Sequence, residues 1–592
     1  MSIAQNFPAI APSLSLDFAN VQALDPRITF ARASTATYYG TRTALAEQNL
    51  LLQSQTFDNA SWTKIGSTAT ANAVVAPDGT STATLLTSNL ASTDSYLRQE
   101  PTIPTGGTDV LTVYAKYLNY RYVVVNIRTG ASARYCWFDV LNGVVATNSS
   151  GGTASMQSVG NGWYRLILSR ANEGSTLRCN FYLATTDAVL TIAGDGTSGN
   201  YFWGSQFEKR DQATAYNVTT TQPVSNYIPV LETAASGVAR FDHNPTTFES
   251  LGFLVEQQST NLLLQSEDLD TTWSETRATL SLNSVVAPNG TLTADVLIAN
   301  TDNDTHFTTQ TFTGTAVSHT FSAYAKANGL NHVALRLFNG STQVGLAYYN
   351  LSTGATGTVT AGTAAIQSVG NGWYRCSLTA TLAASASCTA DIFLANADNT
   401  NTFVGNAFSG VTLWGFQIEA LALSTSYIQT VASQVTRAAD AVSITGTNFS
   451  SCYAQGEGTL YVESLAQDTS AANNKNLRLH DGTTSNEIWL GSGSPGTAAR
   501  CQIALGGVTY FDSNMSSQTT AGQFGKYAVA FETNNTVLCS NGTLGTLDTA
   551  VPISSAINQL TIIPPSQRAG YYKKIAYYPI RISNTNLQAL TS

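Results

Sequence analysis

Charge is scarce in this chain: Asp, Glu, Lys and Arg together make up 11% of its 592 residues, where about 25% is usual in a globular protein. The basic residues form no extended run and the formal net charge is -9, so the electrostatic footprint that neutralises a phosphate backbone is missing. Nucleic acid is not an expected partner. No basic head followed by an apolar stretch opens the sequence, and no run of about 20 apolar residues occurs in it; neither an export signal nor a membrane span is expected. Seven cysteines, Cys136, Cys179, Cys376, Cys388, Cys452, Cys501 and Cys539, make an odd total without C-x-x-C spacing, which argues against a disulfide framework and a zinc site. Most are expected as buried free thiols.

Catalytic signatures are missing too. The five histidines, His243, His306, His319, His332 and His480, are scattered, and there is no G-x-S-x-G elbow, H-E-x-x-H pair or phosphate loop. A non-enzymatic protein is expected. The enzyme alternative is a glycan depolymerase, because glycoside hydrolysis needs only two carboxylates at the right separation, which a sequence does not show.

What fills the chain instead is Ser, Thr, Asn, Gly and Ala around a 43% apolar fraction that includes 26 Tyr, enough to fold throughout. Self-similarity is plain. NLLLQS occurs at Asn49 and Asn261, VVAP-[DN]-G at Val74 and Val285, YAK at Tyr114 and Tyr324, VGNGWYR at Val159 and Val369, and W-G-x-Q-[FI]-E at Trp203 and Trp414. The nearly constant offset marks one duplicated module, over 48-222 and 260-433. Its FSAYAKA and HVALRLF segments alternate with period two between Gly, Asn, Ser and Thr clusters, so the expected fold class is all-β: two β-sandwich (jelly-roll) modules, then a different sandwich over 434-592. Residues 1-47 and 223-259 are too short to fold alone. They are expected to pair as a collar at the base of copy one.

LDPRITFARASTATY, ARFDHNP, LGFLVEQQSTNLLLQSED and SYIQT with TRAAD resemble the recurring signature of a family of phage virion proteins, chiefly tail fibres and head fibres. Each repeat is similar to jelly-roll carbohydrate-binding modules that end in a W-G-x-Q-x-E strand. Gly456 to Ser592 resembles a concanavalin A-like, laminin-G-like lectin domain. The resemblance implies a virion protein that binds host-surface glycans and mediates adsorption, with a purely structural spacer as the alternative. It also implies a homotrimer anchored to other virion proteins by its first 45 or so residues, with the lectin-like domain outermost.

Within the modules the duplicated NGWYR places Trp163 and Arg165, matched by Trp373 and Arg375, on one strand face after an Asn-Gly turn; large aromatics at strand starts mostly serve packing. Glycan-binding candidates come from overlaying the copies. Tyr324 and Lys326 match Tyr114 and Lys116, His332 and Arg336 match Tyr122 and Asn126, and Tyr348 matches Trp137. If the strands that carry them are neighbours, their outward faces converge on one patch of flat rings and directional donors, the chemistry of sugar recognition. An ordinary solvated sheet face is the alternative. No cofactor is expected; a structural calcium is the one addition considered, at Glu208 and Glu419 or at Asp302 with Asp304.

Overall fold

The computed structural model describes residues 11-91, 93-103, 106-129, 134-172, 177-466, 474-492, 498-515, 523-553, 556-563 and 569-592. Alternation of apolar and polar residues produces strands almost everywhere, and the three helices among the described residues, Phe18–Val21, Gly446–Ser450 and Asn584–Thr591, are short.

Each repeat is a sandwich of two six-stranded antiparallel sheets. In copy one the first sheet runs, in spatial order, Thr63–Ile65, Tyr96–Gln99, Leu177–Ala184, Tyr122–Thr129, Tyr135–Asp139 and Val144–Asn148. The second runs Ser67–Val74, Ala83–Ser88, Gly199–Glu208, Thr108–Lys116, Trp163–Ala171 and Thr153–Ser158. Copy two repeats both orders with its own strands and adds a small ribbon, Asn303–Thr305 with Thr402–Val404. Leu111, Val113, Val123, Val125, Phe138, Leu166 and Phe181 fill the space between the sheets of copy one; Phe321, Ala323, Leu335, Cys376, Leu378 and Ile392 do so in copy two. Removing these apolar side chains from water is what stabilises each module, at roughly 1.5–3 kcal/mol per large side chain.

The third sandwich gathers strands from three parts of the chain. Its larger sheet includes Leu14–Asp17, Arg240–His243, Ser250–Glu256, Glu457–Ala466 and Ala569–Tyr578, and its other sheet includes Thr29–Ala31, Ala441–Thr445 and Asn474–His480. Leu14 pairs with Tyr577, Phe253 with Tyr572 and Phe30 with Val442. Leu14, Leu16, Phe18, Phe253 and Val255 share one buried core with Leu460, Val529 and Ile575.

This differs from a sandwich confined to 434-592. The flanks of copy one do pair, since Ala36–Asn49 and Val224–Ala234 form a two-stranded ribbon, but the rest of the expected collar belongs to the host sandwich. Copy two leaves and returns through a second antiparallel pair, Ser259–Asn261 with Val435–Arg437. Both modules are thus insertions in one host domain, each between chain ends that lie side by side, the arrangement in which insertion costs the host least. Residues 14-31, part of the segment expected to face the virion, are strands and core of that same domain. Residues 1-10 of that segment lie outside the described residues.

All seven cysteines are buried thiols outside any disulfide. Burial pushes the Cys136 thiol up to about 12, so this group is a packing residue rather than a nucleophile.

Candidate functional site

The conserved words of the two repeats turn out to be structural joints. In NGWYR, Asn161 and Gly162 both take positive φ, 51° and 75°, and Asn371 and Gly372 repeat this at 50° and 74°, as a type I′ hairpin turn requires. The turn delivers Trp163 and Trp373 to buried positions. Arg165 donates to the Thr214 carbonyl at 2.6 Å, and Arg375 donates to the Thr425 carbonyl at 2.7 Å. The W-G step is a bulge: Gly415 has φ 65°, and a Cβ there would lie 2.7 Å from the Tyr324 ring. Asn49 and Asn261 of the NLLLQS words each donate from Nδ2 to two carbonyls, those of Ser205 and Asn217 and those of Phe416 and Ile428.

Glu208 and Glu419, weighed as calcium ligands, are fully buried and already engaged. Glu208 accepts from Thr214 N–H at 3.0 Å and from the Thr214 hydroxyl at 2.6 Å. Glu419 accepts from Thr425 N–H at 2.8 Å and from Ser259. Asp304 is exposed and pairs with Arg277 at 3.1 Å, while Asp302 accepts from Asn300. Among the described residues no group of three or more His, Cys, Asp and Glu has metal-site geometry.

The ten glycan candidates divide between two faces instead of meeting on one. Tyr114 and Tyr324 stand on the second sheet of each module and Tyr122 and His332 on the first; consecutive strands cross between the sheets. Tyr324 is 1% exposed. It packs against Trp414 and Tyr427 at ring separations of 5.4 and 6.2 Å, with the Arg375 guanidinium 5.5 Å from its ring centre. Tyr114 repeats this with Trp203, Tyr216 and Arg165. Lys326 is ion-paired with Glu47 of the ribbon and donates to the Asn371 carbonyl, and Lys116 sits half-buried beside the Gly162 turn. These four belong to packing and to the junction between module and host.

The other six share outer faces of the first sheets. Strand register lays Tyr96, Tyr182, Val124 and Trp137 in one row across copy one, with Arg98, Asn180, Asn126 and Tyr135 in the next. Tyr182 is the floor, 4.2 Å from Tyr96 and 5.9 Å from Tyr135 between ring centres. Trp137 lies 5.7 Å from Tyr135 and donates its indole N–H to the Val189 carbonyl. Tyr96 and Tyr135 are half-exposed, whereas Tyr122, Trp137 and Tyr182 are buried. Burial, together with the neighbouring phenols of Tyr135 and Tyr96, pushes the Tyr182 hydroxyl above its ordinary range and keeps it a neutral donor. Asn180 donates from Nδ2 to Asn126 Oδ1 at 2.6 Å, and Asn126 Nδ2 donates to the Arg134 carbonyl. The Asn180 Oδ1 acceptor has no hydrogen-bond partner although the residue is 3% exposed. A border of Arg98, Arg178 and Glu100 flanks this row.

Copy two keeps the aromatic row as Phe307, Phe393, Ala334 and Tyr348, but replaces the amide pair with Asp391 and Arg336. Arg336 pairs with Asp391 at 2.8 Å and lies between the rings of Phe338 and Phe393, 4.5 and 4.3 Å from their centres. Its Nε and Nη2 and the face of Phe393 are therefore engaged within the protein. His332 is half-buried at the edge of this row. The period-two alternation in LRCNFYLA marks Asn180 and Tyr182 as one face and could have identified them from sequence; pairing with Tyr96 is non-local and could not.

A second constellation was not expected as a site. The words RITFARASTATY, ARFDHNP, LGFLVEQQ, SYIQT and TRAAD converge where copy two joins the host, through Arg32, Arg240, Glu256, Ser426, Arg437 and Asp440. Arg240 pairs with Glu256 and Asp440, both at 2.7 Å, and Arg32 pairs with Asp440 at 3.1 Å, all with side chains closed to water. Glu256 also accepts from Ser426 N–H at 2.8 Å. The surrounding guanidiniums and Ser426 hold Glu256 at about 2 despite burial, whereas burial and the nearby Arg240 lower Arg32.

No protein-family model and no curated protein matches the chain. Among solved structures it is similar to the CBM40 of the Ruminococcus gnavus IT-sialidase bound to α2,3-sialyllactose, at 12% identity and TM-score 0.21, covering 24% of this chain and 88% of that one. It is also similar to the tandem CBM22-1–CBM22-2 region of Paenibacillus barcinonensis Xyn10C, at 11% identity and TM-score 0.18 over 65% and 99% of the two chains. The LG1-3 region of the laminin α2 chain matches at 10% identity and TM-score 0.17 over 82% and 95%.

Proposed function

We propose that this is a non-enzymatic phage virion protein, a fibre or decoration protein acting as a homotrimer, whose first module binds a host-surface glycan on the outer face of its first sheet. The observation that carries the binding role is the row of rings beside the Asn126–Asn180 pair, with the buried Asn180 Oδ1 lacking a donor. A pyranose offers CH groups to the half-exposed Tyr96 and Tyr135 and, once the side chains that close over it shift, a hydroxyl donor to that oxygen; an unpaired buried acceptor costs about 1–3 kcal/mol until such a donor arrives. The virion setting is supported by the signature words alone. Linked sites in a trimer would raise a weak single-site affinity by avidity.

The test is an array of bacterial polysaccharides probed with the purified chain. Tyr135→Ala and Tyr96→Ala should each lower the signal at least tenfold, while Tyr348→Ala should leave it unchanged. A blank array, or equal loss from all three, would sink the reading. The spacer alternative is favoured by one observation, the ion cluster that fixes copy two to the host, and a blank array would leave it standing. New reducing ends released from capsule or lipopolysaccharide would show an enzyme instead.

A further inference from the structure

Between the host, the ribbon and copy two lies a cavity of 160 Å³ lined by Thr37, Leu231, Glu267, Trp414, Tyr427 and Arg437, among others. Its mouth includes the exposed Thr35, Thr233, Gln429 and Thr436. Arg437 is 1% exposed, and none of its three guanidinium nitrogens makes a hydrogen bond. Glu256 Oε2 lies 3.5 Å from Nη1, but that carboxylate already accepts from Arg240 and Ser426. The directly paired groups of the cluster are three arginines, Arg32, Arg240 and Arg437, against two carboxylates, Glu256 and Asp440. Asp242 accepts from Tyr39 N–H, His243 N–H and Tyr571.

A buried guanidinium that makes no hydrogen bond is disfavoured even beside a counter-charge such as Glu256, and its planar fork matches a carboxylate. We propose that this cavity is a binding site for a small hydroxylated carboxylate, of the sugar-acid class, whose carboxylate pairs with Arg437. The directly paired groups lack one negative charge, and Glu267, whose carboxyl burial raises above its ordinary range, lines the same cavity. On the same walls Glu267 and the Tyr427 hydroxyl, 3.2 Å apart, would meet ligand hydroxyls, and Trp414 supplies an apolar surface. The site is separate from the first-module face and does not depend on it.

The experiment is isothermal titration calorimetry of the full chain with sodium glucuronate, and with sodium acetate as the bare carboxylate, at constant ionic strength. Saturable binding near one site per chain is expected for glucuronate. Arg437→Met, which leaves the cluster with two charges of each sign, and Thr233→Trp, which narrows the mouth without touching the cluster, should each weaken it at least tenfold, whereas Tyr348→Ala, on the outer sheet face of copy two, should not change it. Glucuronate binding tenfold or more tighter than acetate supports the sugar-acid class; equal affinities would reduce the site to one for any small carboxylate and overturn that part. The absence of saturable heat with either, or binding unchanged in both Arg437→Met and Thr233→Trp, would overturn the site and show that water alone satisfies Arg437.

Discussion

Arg240 and Asp440 stand 200 residues apart in the chain and meet at 2.7 Å, with both side chains shut off from water. The contact closes the loop that contains copy two, because Arg240 lies before that module and Asp440 after it. Asp440→Asn would leave Arg32 and Arg240 facing a neutral amide in a dry site. Removing one partner of a buried pair costs about 3–5 kcal/mol. The expected result is an earlier urea transition and new protease cleavage near residues 257-260 and 434-440. An unchanged transition would mean that the cluster contributes nothing to the join.

The same region gives a pH dependence with two opposite signs. Burial raises Asp242 to about 6 from its ordinary 3.8, so the folded state holds this proton more tightly than the unfolded one. Its contribution is fully present below about 3.8 and is lost as pH rises through about 6. Glu256, held at about 2 against an ordinary 4.5, contributes above that ordinary value and loses its contribution as pH falls toward 2. Asp242→Asn keeps the acceptor for Tyr39 N–H and His243 N–H. Relative to wild type it should gain about 2–3 kcal/mol between pH 4 and pH 7, read from denaturant midpoints at each pH. A difference that stays flat across that interval would remove the assignment.

Truncation separates the observed host domain from a sandwich made of the C-terminal residues alone. Leu14, Leu16 and Phe18 are buried in the core shared with Leu460 and Ile575, and Leu14–Asp17 pairs with the Ala569–Tyr578 strand. Deleting residues 1-31 should therefore abolish cooperative unfolding of the host sandwich, and Phe18→Ala alone should cost about 3–5 kcal/mol. A truncated chain with unchanged near-ultraviolet circular dichroism and melting would contradict the pairing.

Much of this was legible before the structure. The constant offset between NLLLQS and W-G-x-Q-x-E words marks the duplicated module, and packing roles for Trp163 and Trp373 follow from their place after a tight turn. The assignment of sheet neighbours was not legible. Alternation in YAK says that Tyr324 and Lys326 share a face, yet nothing local says that the next strand, His332–Asn339, crosses to the opposite sheet. Likewise the segment that holds Leu14–Asp17 is expected to pair with 223-259 in a collar, whereas the partner of Leu14, Tyr577, is more than 500 residues away. Long-range pairing decides both.

Among the differences between the two modules, the one at Asn126 and Asn180 against Arg336 and Asp391 can be transplanted. In copy one Asn180 and Asn126 leave an acceptor unpartnered beside half-exposed tyrosines; in copy two Asp391 and Arg336 satisfy each other and Arg336 covers the Phe393 ring. The double variant Asn126→Arg with Asn180→Asp should build the same ion pair over Tyr182 in copy one, since strand register sets the two positions side by side in both modules. Because the new groups satisfy one another, the melting temperature should move by no more than a few degrees. Glycan signal should fall about 10- to 100-fold, as expected when one or two sugar hydroxyls lose partners worth about 1–3 kcal/mol each. Retained binding in a folded double variant would show that the amide pair does not touch the ligand, and would move the site away from this face.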